Sequence, residues 1–173
     1  MSSSEYQTDS CHLQEEELFK ILDNEQIPYQ TVEHAAAMTI QDIQSIALPG
    51  LACKNIFLKD SAQKLWLVVA LPTTKIALKE LGKKLPAPKL RCAQADLLQK
   101  QLGCEPGAVS LFCVVNDHEK KVTVLLDRSI FSQDRVGFHP FPNTASTFIK
   151  SLDCIRFLNA CAVPYKEINF HEA

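Results

Sequence analysis

Two apolar segments separated by a four-residue polar turn constrain the fold of this chain more than any other feature. The segments are KNIFLKD, beginning at residue 54, and KLWLVVAL, beginning at residue 64, with DSAQ between them. Segments of this length around a short polar connection are typical of a β-hairpin. LFCVV and KVTVLLD flank NDHEK later in the chain and predict a second hairpin. We therefore expect a largely antiparallel sheet.

Helical patterns are interspersed with these segments in an irregular order. The predicted helices span residues 12–26, 39–47, 73–85, 93–103 and 152–161. Thr39 and Asp42 are expected to form a capping box, Gly103 to end its helix, and Ser151 to cap the last one. YQTVEH and VPYKEINF read as further strands. With no run of βαβ units, the pattern predicts an α/β fold of the α+β type, in which helices pack on a mixed, largely antiparallel sheet.

Length and composition fit one globular domain. The chain has 173 residues, 46% of them hydrophobic and 22% charged, and a formal net charge of -2; a chain of this size can bury a hydrophobic core. Residues 1–11 are expected to be a mobile tail and residues 12–173 a single domain. The N-terminus lacks signal-peptide features and no apolar run approaches the roughly 20 residues of a membrane span, so we expect a cytoplasmic protein without membrane contact.

The cysteine pattern argues against a metal site. The seven cysteines are Cys11, Cys53, Cys92, Cys104, Cys113, Cys154 and Cys161. Their number is odd and no C-x-x-C pair occurs, whereas structural zinc sites usually carry close Cys and His pairs. We expect reduced, mostly buried thiols and neither a metal nor another cofactor. A catalytic cysteine stays an open alternative.

The Lys54–Asn55 pair is the first of three candidate functional features. No G-x-S-x-G, P-loop or G-x-G-x-x-G motif is present, so hydrolase triads and nucleotide cofactors have no support. Lys54 opens an apolar strand, where a lysine can lie at the mouth of a pocket and hold an anionic or carbonyl oxygen. The alternative is a solvated lysine at a strand end.

A run of cations is the second feature. It consists of Lys75, Lys79, Lys83, Lys84, Lys89 and Arg91. On a slightly acidic protein, such a one-signed run suits phosphate groups. A solvated helix face is the alternative interpretation.

The loop in GFHPFPNTAS, residues 137–146, is the third feature. Its two prolines exclude regular structure and stiffen the chain around His139 and Asn143. Such a loop can present hydrogen-bonding side chains at fixed positions. Alternatively, His139 satisfies a buried carbonyl and Asn143 caps a turn.

Taken in order, PGLACKNIFL, LVVALP, a Lys/Leu helix, EPGAVS, VTVLLD and FHPFPNTAS resemble the YbaK/prolyl-tRNA-synthetase-associated domain family, and among its members most closely the free-standing Ala-tRNA(Pro) deacylases. The likeness runs from about residue 15 to residue 170. It implies a compact α/β domain with a strongly curved mixed sheet. It also implies hydrolysis of the ester between a wrong amino acid and the terminal adenosine of tRNA, without a metal or a covalent intermediate.

The resemblance assigns roles to particular residues. The essential lysine of the family falls on Lys54, with substrate-binding positions at Asn55, His139 and Asn143. The glycine-led loop of the family falls on residues 107–111, where the backbone around Gly107 and Ala108 would approach the substrate. Leu111 stands where the family pattern has proline, which bears on the amino-acid selectivity.

The function expected from these observations is trans-editing of mischarged tRNA, with Ala-tRNA(Pro) as the substrate. Lys54 would be catalytic, and the cation run would contact phosphates of the acceptor stem. Prolyl-tRNA synthetase is a further candidate partner. Two alternatives stay open: a deacylase for another mischarged tRNA such as Cys-tRNA(Pro), and a non-catalytic module that senses an amino acid or aminoacyl-tRNA.

Overall fold

The computed structural model describes residues 3–36 and 45–171, with side chains from residue 14 onward. The helix predicted over residues 39–47 falls largely outside this part, and its capping box lies wholly outside it. The described α-helices are α1 Ser3–Asn24, α2 Leu78–Lys84, α3 Ala95–Leu102 and α4 Asp153–Ala160. The described strands are β1 Tyr29–Glu33, β2 Leu51–Ala52, β3 Lys54–Lys59, β4 Leu65–Ala70, β5 Arg91–Cys92, β6 Val122–Asp127, β7 Arg135–Phe138, β8 Ala145–Lys150 and β9 Tyr165–Ile168.

The strands form two sheets. The large sheet has the order β5-β3-β4-β6-β9, and the small sheet has the order β1-β8-β7-β2. The predicted β3–β4 hairpin is confirmed, with Lys54 opposite Ala70 and Lys59 opposite Leu65. Four of the seven pairings are antiparallel, while β2–β7, β4–β6 and β6–β9 are parallel. The prediction of a mixed α/β fold is confirmed, and the strands are divided between two sheets.

The second predicted hairpin is wrong. LFCVV is part of a 3₁₀ helix, Leu111–Asn116, and its five apolar side chains are buried. The hydroxyl oxygen of Ser110 accepts a hydrogen bond from the backbone N–H of Phe112 at 3.1 Å and caps this helix. A short apolar run is compatible with either a strand or a buried helical segment, so the pattern alone could not separate them. β6 consequently pairs in parallel with β4 and β9.

Several helix boundaries differ from those predicted, most of all in α1 and α2. α1 begins at Ser3 rather than at residue 12, α2 spans residues 78–84 rather than 73–85, and α4 has Leu152 at its N-cap in place of Ser151. The carbonyl of Ser151 accepts a hydrogen bond from Cys154 N–H at 3.2 Å, but no side chain caps this helix. The helix ending at Gly103 is confirmed, because that glycine adopts the left-handed conformation typical of a helix C-terminus. The division into a tail and one domain stays a prediction.

The centre of the large sheet is buried on both faces. Leu67 and Val69 of β4 lie in the main core, whereas Val68 lies in a second core with Leu81 and Leu85 of the α2 region. In the main core, the ring of Phe112 meets the rings of Phe138 and Phe157 edge-on, with centroids 5.2 and 5.3 Å apart. Because side chains alternate along a strand, β3 likewise contributes to both faces and carries Lys54 on the α2 face.

We expect Gly137→Ala to lower the free energy of unfolding by about 1–3 kcal/mol, as other overpacked cores do. A Cβ at this position would lie 2.7 Å from Cδ1 of the fully buried Phe148. Gly107→Ala is the matched control, because its Cβ would lie 3.5 Å from Nδ2 of Asn143, which is ordinary contact. Urea denaturation of both variants checks the difference, and equal losses of stability would contradict it.

Candidate functional site

A cleft of about 220 Å³ lies where the two sheets meet, and we call it the Lys54 cleft. Its walls are formed by Ala52, Cys53, Lys54, Asn55, Pro106, Gly107, Val109, Gly137, Phe138, His139 and Ser146. Four of the predicted site residues are thus brought together: Lys54, Asn55, Gly107 and His139. Ala108 is buried behind this wall. Asn143 lies at its edge, near Gly107.

Lys54 is held by backbone carbonyls of the segment that follows β4. Its Nζ donates to the carbonyl oxygen of Pro72 at 3.4 Å and, in a closer contact, to that of Thr74. An ammonium group has three N–H donors, so two carbonyls leave one donor for a ligand. Lys54 is half-buried. It is therefore a positioned lysine rather than a freely solvated strand end.

A buried carboxylate holds Thr74 in turn. The Thr74 hydroxyl donates to Asp127 Oδ2 at 2.6 Å, and Asp127 is fully buried. Ser129 adds two donors, its hydroxyl to Oδ2 at 2.5 Å and its backbone N–H to Oδ1 at 3.1 Å. Sequence reasoning missed Asp127; the available signal was an acidic residue directly after five apolar or β-forming residues in VTVLLD.

Asn55 carries an unsatisfied acceptor. Its Nδ2 donates to the carbonyl of Cys53 at 3.3 Å, whereas its Oδ1 is buried and has no hydrogen-bond partner among the described residues. Buried polar atoms are nearly always paired, so this unpaired oxygen is a feature that packing of the fold does not explain.

His139 both satisfies a backbone carbonyl and lines the cleft, so the two interpretations offered by the sequence apply together. Its Nδ1 lies 2.8 Å from the carbonyl oxygen of Ala145, and its own carbonyl accepts from the Ser110 hydroxyl at 2.7 Å. A ring nitrogen facing a carbonyl must carry the proton, so Nε2 is the nitrogen left for the cleft. In the same loop, Phe141 has a φ of 79°, a strained value for a buried aromatic residue.

A second histidine, missed by sequence reasoning, lies beside His139. The His34 and His139 rings have centroids 5.8 Å apart. His34 Nδ1 lies 2.8 Å from the carbonyl oxygen of Ala35, and its Nε2 lies 2.8 Å from the hydroxyl of the cleft residue Ser146. In a neutral ring, Nδ1 then donates and Nε2 accepts the Ser146 proton. Only the pairing of β1 with β8 brings these residues together, so no local pattern could indicate it.

Members of the predicted cation run line two different depressions. Lys79, Lys83 and Lys89 surround a depression of about 400 Å³ beside α2, and Lys83 pairs with Glu80 at 3.7 Å. Lys84 donates to the carbonyl oxygen of Asn169 at 3.0 Å. Lys75 directly follows Thr74, so the run begins next to a carbonyl that holds Lys54. Arg91 lies elsewhere, in a separate cleft with Lys59.

Leu111 is fully buried and begins the 3₁₀ helix behind the cleft wall. Its side chain is absent from the lining of the Lys54 cleft.

The cysteine in the cleft wall is poorly suited to nucleophilic attack. Burial, with a smaller contribution from the charge of Asp127, raises the pKa of Cys53 to about 12.

The described residues contain no group of three or more His, Cys, Asp or Glu side chains placed to hold a metal ion. Among the same residues, no helix combines the length and hydrophobicity needed to cross a membrane.

Comparison with known proteins gives consistent similarities. Residues 29–157 match the family described as the aminoacyl-tRNA editing domain. Prolyl-tRNA editing protein ProX of Acetoanaerobium sticklandii is 35% identical over 150 residues, covering 85% of this chain and 92% of that protein. Prolyl-tRNA synthetase associated domain-containing protein 1 of Danio rerio is 33% identical over 146 residues, covering 82% of this chain and 79% of that protein.

A solved structure of a candidate trans-editing enzyme for prolyl tRNA synthetase has a similar fold. It superimposes with a TM-score of 0.66 at 15% sequence identity, covering 90% of this chain and 96% of that one. At this identity the likeness concerns the fold alone.

We expect Cys53 to resist iodoacetamide at pH 8 while the exposed Cys92 is alkylated. A thiol with a pKa of about 12 is only about one ten-thousandth ionised at that pH, and the thiolate is the reacting form. Peptide mapping by mass spectrometry compares the two sites directly. Alkylation of Cys53 at the rate of Cys92 would restore the catalytic-cysteine alternative.

Proposed function

The chain belongs to the aminoacyl-tRNA editing domain family, and from that premise we propose that it is a trans-editing deacylase. Its reaction is hydrolysis of the ester of a mischarged tRNA, with Ala-tRNA(Pro) as the preferred substrate. The observation that carries this proposal is Lys54, which is held by two carbonyls at the wall of a small cleft with one N–H left for a ligand. The prolyl-tRNA editing relative supports the same reaction class.

The proposed mechanism depends on positioning rather than on a covalent intermediate. An aminoacyl ester is already activated, so orientation and polarisation of its carbonyl suffice. The free N–H of Lys54 would hold the terminal ribose or phosphate and orient the ester. Water adds to the carbonyl carbon, and negative charge develops on the carbonyl oxygen. The carbonyl then re-forms as the bond to the ribose oxygen breaks, and that oxygen leaves as a hydroxyl with the proton that the water gives up.

The other walls of the cleft would stabilise the developing oxyanion and select the amino acid of the substrate. Backbone N–H groups around Gly107 would face the developing oxyanion, because glycine allows close approach. His139 Nε2 and the Ser146 hydroxyl are polar groups suited to ordering the attacking water. The proposed selectivity is exclusion by size: the site would admit an alanyl group and reject the bulkier prolyl group, which is the favourable direction of discrimination.

The acceptor stem and terminal adenosine of the tRNA are the proposed partners. The lysines of the α2 region follow Thr74 in the chain, on the Lys54 face of the large sheet, and suit the phosphates next to the aminoacylated end of the tRNA. A cytoplasmic location and an encounter with prolyl-tRNA synthetase follow from this proposal as predictions.

We expect Lys54→Ala to lower kcat/KM for Ala-tRNA(Pro) at least about 100-fold, since a charged donor at the reacting ester is lost. A panel of Ala-, Cys- and Pro-tRNA(Pro) tests both the reaction and its selectivity, with Lys64→Ala as a control on an exposed lysine. Full activity of the Lys54 variant would reject its role. Binding of tRNA by the native protein without hydrolysis of any substrate would favour the sensing module.

We expect Thr74→Val to lower kcat about tenfold, a change of about 1.4 kcal/mol in the barrier, because the Asp127–Thr74 hydrogen bond positions the carbonyl that holds Lys54. Thr74→Ser restores the hydroxyl and should restore kcat. The adjacent, exposed Thr73→Val is the matched control.

A second measurement separates positioning from a general loss of structure. Competitive acylation read by mass spectrometry should show faster labelling of Lys54 in Thr74→Val and unchanged labelling of Lys54 in Thr73→Val. If Lys54 reacts equally in both variants, Thr74 does not position it.

A further inference from the structure

We propose that a second cleft, at the end of β3 opposite Lys54, binds backbone phosphates of the tRNA. We call it the Lys59 cleft, and its cations are Lys59 of β3, Arg91 of β5 and Lys100 of α3. The identity of the polyanion rests on the proposed function, whereas the anion site itself rests on the following contacts.

Two of these cations are held side by side by the sheet. Lys59 and Arg91 are direct partners in the antiparallel β3–β5 pairing. Like charges directly opposite one another destabilise a sheet. Within the described part of the chain, no carboxylate lies within 4 Å of Lys59, Arg91 or Lys100 in an ion pair. A bound anion would relieve the repulsion that the strand pairing imposes.

The cleft is large enough for a phosphate group and its sugar. Its volume is about 470 Å³, and a depression of about 370 Å³ shares Lys59, Leu97 and Lys100 with it. The acidic residue in its wall, Asp96, accepts a hydrogen bond from the backbone N–H of Leu97 at 3.0 Å, which ties that carboxylate to its own helix. In the neighbouring depression, Lys121 is already paired with Glu119 at 2.5 Å.

The position of the cleft favours an extended ligand. Lys54 and Lys59 are the first and last residues of β3, so their Cα atoms lie about 16 Å apart at the usual strand rise. Their side chains project to opposite faces of the large sheet, because the two positions are five residues apart. A ligand that reaches both must extend around the edge of the sheet and carry negative charge along its length, as a nucleic-acid backbone does. The whole chain has a net charge of -2, so the excess of cations is local to this cleft and is not a property of the whole surface.

The test is binding of uncharged tRNA(Pro), which does not depend on catalysis. The double substitution Lys59→Glu with Lys100→Glu should weaken binding more than tenfold at low salt. The slope of log K against log salt should fall by about 0.7–0.9 per lost phosphate contact. Lys166→Glu, on β9 at the opposite edge of the large sheet, makes the same charge change as one of these two substitutions and should change affinity less than twofold.

The outcomes separate this inference from the proposed function. If the double variant shows the loss of affinity and slope while the native protein hydrolyses no mischarged tRNA, the phosphate site stands and the deacylase proposal fails. If the double variant binds tRNA as Lys166→Glu does, the phosphate site is overturned, and an acidic protein surface becomes the alternative ligand. Thermal unfolding of each variant shows whether the substitutions have damaged the fold. Lys100→Glu alone is the control for such damage, because it leaves the β3–β5 pairing intact.

Discussion

A buried carboxylate at the end of β6 is the group on which the arrangement of the Lys54 cleft depends. A carboxylate is tolerated in a protein interior only when donors surround it, and Thr74 and Ser129 supply three for Asp127. Thr74 is fixed in this way, and its carbonyl holds Lys54. The strand register makes the connection possible, because Ala70 of β4 lies opposite Lys54 and next to the end of β6. The site is therefore an outcome of how three strands are aligned, not of one loop.

Elements with local signals could be predicted from the sequence, and elements defined by distant partners could not. The β3–β4 hairpin has a polar turn between two apolar runs, and α3 has a left-handed glycine at its end, so both were predicted correctly. LFCVV is short and uniformly apolar, and such a run carries no period that separates a strand from a buried 3₁₀ helix. The parallel partners of β6 lie far away in the chain, where no local pattern encodes them.

The same distinction between local signals and distant partners applies to the residues of the candidate site. Lys54, Asn55, Gly107 and His139 stand in recognisable motifs, and the structure places all four in one cleft wall. The residues that support them depend on long-range contacts: Asp127 reaches Thr74 across 53 residues, and His34 reaches Ser146 across 112. Hydrogen bonds of this kind follow from tertiary structure, so sequence reasoning finds the groups that line the cleft sooner than the groups that hold them.

A single residue, Cys53, separates β2 of the small sheet from β3 of the large sheet. Its backbone N–H donates to the carbonyl of Gly137 at 3.0 Å, so the crossing is anchored to β7. The Lys54 cleft thus lies on the seam between two sheets whose relative placement is set by the packing of their shared core, including the ring of Phe112. Substitutions deep in that core can therefore change the shape of the Lys54 cleft while every residue that lines it stays the same.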